Sequence, residues 1–212
     1  MELSTVLSRA LSGIAAPLVQ VETHLSNGLP AFHIVGLPET TVRESKDRVR
    51  SAILNSHFDF PDRRITVNLA PADLPKEGGR FDLPIALGIL SASGQIPADA
   101  LLQHEFLAEL ALDGSLRPVP GVIAAADAAQ RAGRQLVLSD DSAGLATRVP
   151  GSAVIAATDI LTLSAHLNGR EKITPLPAQP VPTVSHQPDL SEVVGQPGAR
   201  RALEIAASGA HN

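Results

Sequence analysis

The chain has 212 residues, 44% of them apolar, enough for one sizeable core. With five Phe, no Trp, no Tyr and no Cys, that core is built from Leu, Ile, Val and Ala, and disulfides and cysteine-ligated zinc are excluded. A net charge of -5 excludes binding of nucleic acid over the whole surface, so any such contact comes from a local patch, and five Phe argue against a base-stacking platform.

The pattern then predicts a mixed α/β class, with strands alternating with helices in one globular unit over residues 1–168. Leu18–Leu25 and Ala31–Val35 read as two strands joined by an Asn27-Gly28 hairpin turn. After Pro38 an amphipathic helix is expected over Thr41–Asn55, with Val42, Val49 and Ile53 on its apolar face. Ile65–Ala70, rich in β-branched residues, reads as a strand. Asp82 is expected to N-cap a buried helix over Leu83–Ser93, with Pro84 in its first turn. Phe106–Leu112, Asp113-Gly114 and Ser115–Pro118 read as a second hairpin. Gly121–Ala132 is an Ala-rich helix, Gln135–Leu138 and Ala153–Ala156 are strands, and Asp159 caps a short helix that ends at Asn168. Five prolines over 169–189 mark an extended linker, and 190–212 turns helical again. The apolar runs are too short to span a bilayer, and the first residues lack the basic and apolar regions of a secretory signal; cytoplasm is the expected location.

Arg43, Lys46, Arg48, Arg50, Arg63 and Arg64 cluster in sequence, interleaved with Glu44, Asp47, Asp59 and Asp62. Two readings stand. Arg43–Asp47 and Glu44–Arg48 are ion pairs on a solvated helix face. Alternatively Arg43, Lys46 and Arg50 form one stripe that, with Arg63 and Arg64, faces DNA phosphates. The histidines are His24, His33, His57, His104, His166, His186 and His211. His24 and His33 meet across the first hairpin in one turn register, but no third or fourth ligand accompanies them and no metal is expected. Asp73, Glu77 and Asp82 lack a substrate-positioning motif. Asp73 reads as a turn residue, and Gly78-Gly79 as a tight turn rather than a phosphate nest.

Three words, Ile34-Val35-Gly36-Leu37-Pro38, Arg48-Val49-Arg50-Ser51-Ala52 and the long run from Asn68 to Ala86, resemble the amino-terminal domain of the ComM/YifB-type magnesium-chelatase-like AAA+ ATPases. The resemblance runs in order along essentially the whole chain. It implies a fold like the Lon protease domain (ribosomal-protein-S5 domain-2-like), followed by a motor. In the Lon word the nucleophilic Ser falls at Arg80, and the dyad Lys falls at Ile123. Neither side chain supplies a nucleophile or a proton acceptor, so the fragment is not expected to be an enzyme. Val194-Gly195-Gln196 resembles the adenine side of the ATP site, and residues 190–212 the start of a truncated AAA+ module. No Gly-Lys-Ser/Thr phosphate loop is present, so no cofactor is expected in this fragment, while ATP and magnesium belong to the full-length parent. The resemblance further implies a hexameric helicase that performs branch migration in natural transformation and recombination, with single-stranded or branched DNA as partner and a ring assembled through its motor; this domain would contribute DNA engagement, ring assembly or both. The alternatives are a Lon-like Ser-Lys peptidase and a magnesium-chelatase-like metal-insertion subunit.

Overall fold

A computed structural model describes residues 2–179 and 189–209 in two compact units, 1–179 and 180–212. The first unit is built on strands β1 (Leu3–Arg9), β2 (Leu18–Ser26), β3 (Ala31–Val35), β4 (Arg64–Ala70), β5 (His104–Leu107), β6 (Glu109–Leu110), β7 (Leu116–Arg117), β8 (Gln135–Ser139) and β9 (Val154–Ala157). Its helices are α1 (Thr40–Arg43), α2 (Ser45–Asn55), α3 (Asp82–Ala92), α4 (Val122–Arg131), α5 (Asp140–Ala146) and α6 (Ile160–Leu167). The mixed α/β class is as expected. Seven strands form one sheet in the order β3-β4-β2-β1-β5-β8-β9, and β6-β7 form a separate antiparallel pair.

The sheet has two halves. From β1 towards β9 the pairings are parallel, and from β1 through β2 to β4 they are antiparallel. Parallel strands must be covered on both faces. Accordingly β8 sends Leu136 and Leu138 into the cluster under α4 and α5, and Val137 into the larger core on the other face. On the antiparallel half, Val21, Leu25, Val67 and Leu69 enter the core, while Gln20, His24, His33 and Arg64 face outward. This is the period of two that a half-covered sheet imposes.

The hairpin expected between Leu18–Leu25 and Ala31–Val35 does not form. β4 lies between these strands, antiparallel to β2 and parallel to β3. Both Ser26 and Ala31 oppose Arg64, so the Asn27–Pro30 segment crosses over β4. A favourable local turn does not decide which strand pairs with which. His24 and His33 both oppose Thr66 from opposite sides, two strand spacings apart, roughly 9.6 Å, and therefore do not meet. Among the described residues no cluster of His, Asp or Glu is arranged to hold a metal. The second hairpin forms as expected, with Glu109 opposite Arg117 and Leu110 opposite Leu116; Ala108 separates it from β5, so Phe106–Leu112 is not one strand.

All eleven residues of α3 are buried, Asp82 and Ser91 among them, as the apolar residues on every side of the helix dictate. It lies on β1 and β2 at Gly88, where a Cβ would stand 2.4 Å from Thr23 Oγ1. Ser4 Oγ donates to the Gly88 carbonyl (2.7 Å) and Ser8 Oγ to that of Phe106 (2.9 Å). Asp159 caps α6 as expected, accepting from Thr162 N at 2.7 Å.

Residues 169–179, expected to begin the linker, pack on the first unit: Ile173 N donates to His166 Nδ1, and Leu176 bridges to Val154. The remainder of the expected proline-rich stretch, 180–188 with His186, and residues 210–212 with His211 lie outside the described residues. The second unit holds a 3-10 turn (Leu190–Glu192) closed by an Asp189/Glu192 capping box, and the helix α7 (Pro197–Gly209). No described residue of α7 is buried. No helix among the described residues is long and apolar enough to cross a membrane.

The two sheet halves meet at β1–β5, where Leu7 opposite Glu105 is the registered pair. Glu105 is fully buried between two arginines: Arg9 contacts both carboxylate oxygens at 2.6 Å, and Arg134 contacts Oε1 at 2.9 Å. Arg9 also donates to the carbonyls of Ala16 and Ala128. Glu105→Gln leaves a buried guanidinium without its counter-charge. The expected cost is about 3–5 kcal/mol of unfolding free energy in urea denaturation, with loss below about 1 kcal/mol contradicting this role.

Candidate functional site: a cation and phenylalanine cavity

The expected helix over Thr41–Asn55 is broken at Glu44, between α1 and α2. Ser45, at the break, is buried and returns its hydroxyl to the Val42 carbonyl at 2.7 Å. The break divides the expected cationic stripe. Arg43 stands exposed on α1, whereas Lys46 and Arg50, one turn apart on α2, line a cavity of about 220 Å³. Arg63 joins them from the loop before β4, and Phe32 and Phe60 supply its aromatic walls. Arg64 begins β4 with its side chain exposed and is not part of this lining.

Arg50 lies over the Phe60 ring with Cζ 4.7 Å from the centroid, a cation–π contact. Phe32 and Phe60 are 6.2 Å apart, tilted by 47°. Arg63 donates to Glu2 Oε1 and to Asn27 Oδ1, both at 2.7 Å. Among the described residues, the expected pairs Arg43–Asp47 and Glu44–Arg48 are absent, and Lys46 and Arg50 are in no ion pair.

Arg48 turns inward instead. Its guanidinium grips Asp82 through Nε (2.7 Å) and Nη2 (3.0 Å), and Leu110 N donates to the same carboxylate at 3.3 Å. Asp82 is therefore not the N-cap expected from sequence. It is the first residue of α3, and that helix has no side-chain cap. Burial raises the Asp82 carboxyl to about 6, against the pull of Arg48 in the opposite direction. The ion pair fixes α2, and with it Lys46 and Arg50, to α3.

The second candidate region is the junction of residues 75–82 with 118–121. Arg80 is 6% exposed, and its Nη2 donates to the Pro120 carbonyl at 3.2 Å, so the two words matched to the Lon dyad do meet. Burial lowers the Arg80 pKa, with Glu77 opposing. Arg80, Glu77, Gly78, Gly79, Glu109 and Pro118–Pro120 line a cavity of about 300 Å³. A Cβ at Gly79 would stand 2.5 Å from Glu109 Oε2, which accounts for a glycine there. Ile123 is 48% exposed on α4 and borders a different hollow with Leu11, Gly13 and Ile14. Lys76 is fully buried and donates to the Pro71 carbonyl. Its burial depresses its pKa, against Asp73, and it does not line the cavity. In the second unit Val194, Gly195 and Gln196 are all exposed.

This mixed α/β unit belongs to the ChlI class: the family model for subunit ChlI of Mg-chelatase matches residues 21–142. Within that class the chain belongs to the ComM/YifB family. It is 53% identical over its whole length to competence protein ComM of Haemophilus influenzae, and 47% identical to the uncharacterized protein YifB of Escherichia coli K12. An uncharacterized Mycobacterium tuberculosis protein is 38% identical over the same extent. The chain spans 42–43% of the length of these relatives.

Arg48→Met leaves Asp82 buried without its counter-charge, with an expected loss of about 3 kcal/mol near pH 8. The folded-state pKa of Asp82, about 6, lies above the ordinary value of 3.8. Its stabilising contribution is therefore fully present below the lower value and is lost as pH rises through the upper one. Removing Arg48 lets the folded pKa climb further, so the deficit of the variant narrows at pH 5. Urea denaturation of both proteins across this range measures it; a deficit independent of pH contradicts the assignment.

Proposed function

We propose that this chain is the non-catalytic amino-terminal module of a ring-forming AAA+ motor that works on DNA, and that it contacts the DNA backbone through Lys46, Arg50 and Arg63. The observation that carries this reading is the convergence of those three cations on one cavity, in a chain whose net charge is -5. Phosphate contact of this kind needs no base-specific readout, which suits a motor that must pass along any sequence. Likeness to a protein named for competence supports a role on DNA. ATP hydrolysis, magnesium and ring assembly belong, in this reading, to the rest of the parent protein, whose activity is DNA branch migration, with single-stranded or branched DNA as its partner. A Lon-like fold for the first unit is part of the same proposal.

The former dyad region supports the non-catalytic assignment. The position matched to the nucleophile holds a buried guanidinium bonded to Pro120, and the one lysine of the retained word is turned into its own loop. An arginine has no lone pair to attack an amide. Nothing in either cavity favours metal insertion.

Three phosphate contacts on a single strand predict a log affinity against log salt slope near -2. The double variant Lys46→Glu/Arg50→Glu is expected to weaken binding of a labelled oligonucleotide by about tenfold or more in low-salt anisotropy titrations, and to flatten that slope by about 0.7 per lost contact. Unchanged affinity and slope remove this surface from the DNA path.

A further inference from the structure

We infer that the cavity between α2, β3 and the loop before β4 is a nucleobase pocket. One base of a single DNA strand, turned out of its stack, lies against Phe32 and the Arg50–Phe60 pair, while neighbouring phosphates meet Lys46, Arg63 and the edge of the Arg50 guanidinium. This rests on the DNA reading above and adds to it a preference for single strands and a dependence on bases.

The chain has five Phe. Phe81 and Phe106 are fully buried, and Phe58 packs against the core without lining the cavity. Phe32 and Phe60 are half-buried: each rests on the core and presents a ring to the same space as three cations. Composition argued against a stacking platform; the fold overturns that argument by gathering two of the few aromatic rings at one point. The rings are tilted at 47° rather than stacked on one another, and a guanidinium, itself a planar stacking surface, covers Phe60. Aromatic and guanidinium faces beside a cationic rim are the chemistry by which proteins hold single-stranded nucleic acid, because every base has a π-face and every linkage a negative charge. A volume of about 220 Å³ admits one planar ring system and falls below the roughly 300–1,000 Å³ typical of drug-sized ligands. Pro30 and Pro61 border the cavity and stiffen its rim, and among the described residues Asp47 is the one carboxylate in its lining. In a duplex the bases are paired and stacked, so such a pocket engages them only after unpairing.

The test uses the chain as it is, with a short single-stranded oligodeoxynucleotide carrying one 2-aminopurine, and a matched strand whose central bases are replaced by abasic sites. Fluorescence of the 2-aminopurine is expected to rise on binding, as the base leaves the neighbouring bases that quench it. The abasic strand is expected to bind about tenfold more weakly. Phe32→Leu keeps apolar volume against the core while removing the ring. It is expected to weaken binding of the intact strand by a similar factor and to leave the abasic strand unchanged. Equal binding of intact and abasic strands by the unmodified chain, with Lys46→Glu weakening both, overturns the base pocket and leaves the phosphate reading standing. No binding of either strand at low salt overturns both.

Discussion

A carboxylate that is wholly buried must find a counter-charge, and in this chain Asp82 finds it in Arg48. That demand determines more of the molecule than any other single contact. Asp82 opens the all-buried helix α3, and the Leu110 amide bonded to it belongs to the small β6-β7 pair. Arg48 ends the first turn of α2, flanked in sequence by the cavity-lining Lys46 and Arg50. The inward turn of one arginine sets the rotation of the helix, and the rotation puts the other two cations at the edge of β3. A buried ion pair is weak evidence of net stability, because desolvation offsets much of the attraction. Its value here lies in orientation: α2 has one rotation in which Arg48 meets Asp82.

A second buried carboxylate, Glu105, performs a similar task for the sheet. The antiparallel half carries the cation and phenylalanine cavity at its edge, and the parallel half is sheathed by α4 and α5. The registered contact between them at β1–β5 is short, and Glu105 with Arg9 and Arg134 spans it. Elsewhere in the first unit residues 75–82 meet 118–121, joined there by Arg80 and Pro120, so a buried guanidinium holds these two loops against each other.

Most helices and strands were legible in the sequence because their apolar periods are strong, α3 above all. Strand β1 was not. Its core-facing side reads Ser4, Val6, Ser8, with Arg9 also buried. The close approach of α3 at Gly88 is bridged by the Ser4 hydroxyl bonded to the helix backbone, and Ser8 binds the carbonyl of Phe106 on β5, so the central strand lacks the alternation that marks a strand from sequence. The Asn27-Gly28 turn was readable, but the insertion of β4 between β2 and β3 was not, since that pairing is a long-range choice. Asp82 looked like a cap because it precedes an apolar run, and only the fold brings Arg48 to it. The candidate cations were identified as a group. Their division into Lys46, Arg50 and Arg63 around one cavity, with Arg43 and Arg64 outside its lining, follows from the break at Glu44 and from β-strand direction. The two phenylalanines were invisible as a pair because they come from segments 28 residues apart.

The account's central claim is that DNA meets this module at the edge of the antiparallel half, and amide chemical-shift mapping tests it most directly. In a titration of the isotope-labelled chain with a single-stranded oligonucleotide, the account predicts perturbations concentrated on Ala31–Phe32, Lys46–Arg50 and Phe60–Arg63. Perturbations centred instead on Glu77–Arg80 and Pro118–Pro120, or none at saturating strand, would contradict it.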